Sequence, residues 1–131
     1  MTEDLAFNIG QNKIMDNKVE IFDVESEAFT PVHSFEGWTV GVINFADRLK
    51  EENVAKVECH LKTDEVFIPV LGKSVLHIGR NREKRIELEI GKAYNVKKGT
   101  WHAVSMSENA KMFVVESSGT GNDNSEIIFD K

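Results

Sequence analysis

At 131 residues the chain is sized for one domain and is long enough to bury its own core. A hydrophobic fraction of 40% with 29% charged residues is the balance of a globular protein with a well-solvated surface. The formal net charge of −6 disfavours nucleic acid and anionic membrane as partners, because phosphate surfaces attract basic patches. A single cysteine, Cys59, excludes an intrachain disulfide framework and suits a reducing compartment. No charged-then-apolar leader opens the chain and no apolar run approaches membrane-spanning length, so the expected location is the cytoplasm.

In chain order, residues 1–18 have poor periodicity and read as an N-terminal arm, one that reaches a neighbouring subunit. Strands are then predicted at Val19–Phe22 and Trp38–Ile43, because β-branched and aromatic residues favour extended backbone. Between Asp47 and Asn53 there is room for one or two helical turns. Further strands are predicted at Val66–Leu71, Ser74–Ile78, Arg85–Ile90 and Met112–Val115. Ile86, Leu88 and Ile90 alternate with Glu87 and Glu89, the period of a half-buried strand. Pro69 marks an edge or a bulge. Turn signals fall at Gly72-Lys73, Gly79-Arg80-Asn81, Gly91-Lys92, Lys98-Gly99 and from Ser117 to Asn124. The basic cluster Arg80 to Arg85, interrupted by Glu83, reads as the solvated turn of a hairpin. Many short strands with regular turns predict an all-β sandwich or barrel. Val19 to Phe22 carries no edge protection, which makes a homodimer the expected assembly.

Glu58, His60, Glu65 and His102 stand out chemically. Neutral imidazoles and carboxylates are ligands that zinc, iron, manganese and nickel accept. Glu58 and His60, two apart, share one face of a strand, with Cys59 on the other. Glu65 lies at an odd offset from His60, so a common focus requires a bend at Lys62-Thr63-Asp64. His102 follows Gly99 on a separate strand, with Val104 and Met106 on its face. Against the metal stand blander readings: a satisfied core histidine, or Glu58 exposed beside Lys56 in a surface pair worth at most about 1 kcal/mol. His33 and His77 have no partners at ligand spacing and are assigned to structure or surface. Cys59 reads as a small buried hydrophobe rather than a nucleophile.

His60, Glu65 and Gly72 match the first signature of the cupin barrels, a histidine with a glutamate five residues on and a glycine seven beyond that. Gly91, Gly99 and His102 match the second. The chain therefore resembles a small single-domain cupin. That resemblance implies one jelly-roll (double-stranded β-helix) barrel over residues 1–131 and one divalent transition metal (Zn, Mn, Fe or Ni) held by Glu58, His60, Glu65 and His102.

More narrowly, Val57 to Gly72, Gly99-Thr100-Trp101-His102 and Val114 to Asn124 resemble segments of the ureidoglycolate lyase family. Members of that family split a small carboxylic acid into glyoxylate and urea. The implied chemistry is an elimination in which a base takes the hydroxyl proton and a general acid protonates the departing urea. On this resemblance Glu58 or His102 is the catalytic base. Lys56, Lys97 and Met106 complete the contacts to substrate, with Lys98 an alternative to Lys97 at the carboxylate. The chain departs from the family at Asp64 for serine, Glu65 for glutamine, Ala103 for a second histidine and Ser117 for an arginine. Exchanging glutamine for Glu65 favours a cation, because two carboxylates in a dry barrel repel unless one takes a proton or a metal lies between them. The competing class is a non-catalytic cupin module that binds a small metabolite or sugar.

Overall fold

The computed structural model describes residues 8–9, 12–15, 18–119 and 122–130. The described residues form thirteen strands. β1 (Asn8–Ile9), β2 (Asn12–Met15) and β3 (Val19–Phe22) form a small antiparallel meander. β4 (Ala28–Phe35), β5 (Trp38–Asn44), β7 (Glu65–Leu71), β10 (Tyr94–Val96) and β12 (Lys111–Ser117) form one five-stranded sheet, in the order β10-β7-β12-β5-β4. β6 (Lys56–His60), β8 (Ser74–Ile78), β9 (Lys84–Glu87), β11 (His102–Met106) and β13 (Ser125–Phe129) form the other, in the order β13-β6-β11-β8-β9. Most of the expected N-terminal arm, residues 1–7, 10–11 and 16–17, lies outside the described residues.

The core lies between the two large sheets. Ile43, Met112 and Val114 from the first sheet meet Leu76 and Met106 from the second, with Phe67 beside them, all buried. Each such side chain contributes about 1.5–3 kcal/mol on burial. Period two is plain along β12, where Met112 and Val114 are fully buried and Lys111 and Phe113 are less so.

The segment Asp47–Leu49 and Glu51–Asn53 forms two short 3-10 turns rather than a helix. Pro69 sits at a bulge: Met112 pairs with Pro69 while Lys111 pairs with Leu71, which leaves Val70 over. β10 pairs only with Glu65 to Phe67, so Pro69 also lies beyond its reach. The strand expected to run to Ile90 stops at Glu87, and Ile90 is 59% exposed. The reason is the partner. β8 begins at Ser74, whose carbonyl accepts the Leu88 N–H, and beyond it no ladder remains. The basic cluster does occupy the β8–β9 turn, where Glu83 accepts the Asn81 N–H. No helix among the described residues is long and apolar enough to cross a membrane.

Candidate metal and acid–base site

Two cross-strand pairs face each other across the barrel. In one sheet His102 of β11 lies opposite Glu58 of β6. In the other, Glu116 of β12 lies opposite Glu65 of β7. Directly opposed residues of an antiparallel pair share a face, so each pair turns its side chains to one side together. His60, two residues after Glu58, joins them on the same face of β6.

The bend that the odd offset of Glu65 requires is present. β6 ends at His60 in one sheet, and β7 begins at Glu65 in the other. Asn124 holds the crossing. Its carbonyl accepts the Leu61 N–H at 2.7 Å, its Oδ1 accepts the Lys62 N–H at 2.7 Å, and its Nδ2 donates to Thr63 Oγ1 at 2.8 Å. Asp64 ties the far side, accepting from the Lys98 N–H and from Asn95 Nδ2. Gly99 donates its N–H to the His60 carbonyl at 2.7 Å with φ +81°, a left-handed conformation that side chains resist. That contact brings the turn before His102 against the end of β6.

Both imidazoles converge on one oxygen. His60 Nε2 lies 2.8 Å and His102 Nε2 3.1 Å from Glu65 Oε1, and all three side chains are buried. His102 Nδ1 donates to the Thr100 carbonyl at 3.0 Å, so Nε2 donates to Glu65 in the charged ring and turns its lone pair to the cluster in the neutral one. His60 Nδ1 lies 2.8 Å from Ser125 Oγ, a hydroxyl able to give or take a proton. Burial raises the Glu65 pKa, but hydrogen bonds from His102, His60 and Glu116 outweigh it and hold the carboxylate at about 2. Glu116 goes the other way, pushed up to about 8 by burial and by the adjacent Glu65 carboxylate. The hydrogen bond to Glu65 raises the His60 pKa against burial. At His102 burial lowers it, and the bonds to Glu65 and Thr100 bring a net rise. The arrangement is one ionised carboxylate between two imidazoles, backed by one protonated carboxyl.

This donor set fits a divalent metal. One donor atom each from Glu58, His60 and His102 lies within 4.8 Å of the others, as do those of His60, Glu65 and Glu116. Ligands about 2.0–2.2 Å from a common ion lie up to ~4.4 Å apart, a similar span. The Thr100 carbonyl fixes the His102 tautomer as hydrogen-bond partners of metal-bound histidines do.

Of the site residues expected from the sequence, Glu58, His60, Glu65 and His102 meet at one cavity of about 650 Å³, which Lys56 also lines. Met106 is instead packed in the core, and Lys97 lines a separate shallow depression. Glu116 was missed. The signal was there: Met112, Val114 and Glu116 form one period-two row, which puts Glu116 on the inner face of a predicted strand. Glu116 is the carboxyl group that lies opposite Glu65 and hydrogen-bonds to it.

No family model and no curated protein sequence matches the chain. Solved structures do. A cupin-2 domain protein from Shewanella frigidimarina is similar with a TM-score of 0.53 and 21% identity, over 69% of this chain and 79% of that one. The fold is that of the cupins. A variant of Streptomyces Pac13 with uridine is similar to this chain with a TM-score of 0.61 and 9% identity, over 96% of this chain and 85% of that one. Pac13 is described as a nucleoside dehydratase. At these identities the likeness shows the shared barrel, and the chemistry rests on the residues above.

Proposed function

We propose that this cupin is a metal-dependent enzyme that acts on a small hydroxy or keto acid by proton-transfer-assisted elimination, with the splitting of ureidoglycolate to glyoxylate and urea as its simplest form. The observation that carries the reading is the convergence of two imidazole Nε2 atoms on Glu65 Oε1 inside an accessible cavity. His60, His102 and Glu65, with Glu58 or Glu116, would hold the metal, which when bound supplies Lewis-acid polarisation of a substrate oxygen. Glu58 lines the cavity opposite His102, where a carboxylate can take a hydroxyl proton. Glu116 keeps its proton near neutral pH and is the natural donor to a leaving group. Lys56 also lines the cavity and gives it a positive charge, where Ser117 takes the position of the lyase family's arginine. A dehydratase on the same barrel is one more elimination, which supports the reaction class.

The test is metal content by plasma mass spectrometry beside a His60→Ala/His102→Ala variant, followed by assay of ureidoglycolate and related acids. About one transition metal per chain, lost in the variant, with turnover of an acid is the expected result. Metal-free protein after reconstitution would overturn it. A second reading, a non-catalytic module binding a small metabolite or sugar, is favoured by the mostly apolar walls of the cavity, and binding without turnover would select it. A cytoplasmic homodimer belongs to the same proposal. The β3 edge leaves Val19 and Ile21 exposed, and sedimentation analysis would check the pairing.

A further inference from the structure

The cavity is graded along its length. β6 and β13 run side by side with His60 opposite Ser125, Glu58 opposite Ile127 and Lys56 opposite Phe129. All six residues line the cavity. The buried imidazole and the half-buried serine thus form its inner end, and a lysine beside a phenylalanine forms its rim. Four residues at roughly 3.3 Å each separate Lys56 from His60 by about 13 Å of strand. An α-hydroxy acid of a few atoms does not span that length.

The rim has an unusual surface for a water-facing edge. Phe129 is 66% exposed, Ile127 46% and Phe29 42%. The Phe29 ring lies over Gly41, where an added Cβ would come 2.5 Å from it. Arg48, from the 3-10 turns over the opening, adds a second cation. Neither Arg48 nor Lys56 makes an ion pair with another described residue, although nearby Lys50 pairs with Asp47 and Arg85 with Glu51. Two cations without an ion-pair partner among the described residues, beside exposed aromatic carbon at the mouth of a pocket in a chain of net charge −6, complement an anion with an apolar body.

We propose that the cavity takes an elongated apolar acid. Its anionic group lies between Lys56 and Arg48, its flat or aliphatic body rests on Phe29, Ile127 and Phe129, and its far end reaches Glu58 and His60. This rests on the reading that the chemistry occurs at the inner cluster, and it separates the acid group from the reacting carbon.

Titration calorimetry of the protein as isolated with 2-naphthoate, 2-naphthamide and acetate isolates each part. The expected result is that 2-naphthoate binds at least tenfold more tightly than its uncharged amide and that acetate binds far more weakly than either. Lys56→Met/Arg48→Met then erases the preference for the carboxylate, and Phe129→Ala weakens both aromatic probes alike. Equal binding of acid and amide, a preference that survives the double variant, or acetate binding as tightly as naphthoate would overturn the proposal. So would a dimer that excludes all three probes and dissociates in Phe129→Ala, since the rim would then be covered by a second copy. Metal content of the same sample separates the two readings. Metal without discrimination among the probes refutes only the elongated acid, and discrimination without metal refutes only the metal enzyme.

Discussion

Glu116 is the residue on which the chemistry of the site turns. It lies across the ladder from Glu65 and keeps a proton because burial disfavours its charged form and a second negative charge beside the Glu65 carboxylate adds to that. A metal drawn to this cluster must displace protons, from Glu116 if it ligates and from any charged imidazole. Zn(II) affinity is therefore expected to rise steeply from pH 6 through about 8, the range over which Glu116 gives up its proton. In Glu116→Gln the rise should flatten, which competition with a chromophoric chelator across that range measures. An unchanged slope would show that Glu116 stays outside the metal's reach.

At the scale of elements, the decisive feature is the crossing between β6 and β7. Four residues carry the chain from one sheet to the other and reverse the phase of alternation, so that Glu65 meets His60 despite its odd offset. Asn124, itself buried, holds that crossing through backbone and side chain. Asn124→Ala should cost about 1–3 kcal/mol, because the partly buried Lys62 N–H loses its acceptor. It should also weaken metal binding about 10–100-fold by loosening the seat of His60 and Glu65. Urea unfolding and metal titration check the two effects, and an effect on stability alone would confine Asn124 to the loop. The far end of β7 is fixed differently. Gly72 has φ +68°, and a Cβ there would lie 2.6 Å from the Ala110 backbone, so the turn after Leu71 demands glycine.

Over the whole molecule these shifts set how stability responds to pH. Glu65 has its pKa lowered from 4.5 to about 2, so its contribution is complete above 4.5 and is lost as pH falls towards 2. Glu116 is raised from 4.5 to about 8, so its contribution is complete below 4.5 and is lost as pH rises to about 8. His60 and His102, also raised, act in the same direction above 6.5. His77 opposes them. Burial lowers its pKa, so its contribution holds above 6.5 and is lost as pH falls through the lowered value. Chelator-treated protein should therefore lose melting temperature between pH 5 and pH 8.5, and Glu116→Gln should lose less of it. Thermal melts at the two pH values decide this, and equal losses would mean that Glu116 does not carry the effect.

The sequence by itself determined the all-β class, most of the strands and the four metal-type side chains, because period-two alternation and turn residues are local signals. The two cupin spacings are local in the same sense, since their glycines and ligands lie within short runs such as His60 to Gly72 and Gly91 to His102. What only the tertiary structure decided is pairing between distant strands. The end of β9 depends on where β8 begins, which the run of Ile86, Leu88 and Ile90 does not encode. Glu116 becomes the hydrogen-bonding partner of Glu65 only because β12 lies beside β7 in one register. The rim of Lys56, Phe129 and Arg48 likewise joins three segments that are distant in sequence. Charge and burial at such places depend on neighbours across the sheet, and those neighbours are set when the core packs.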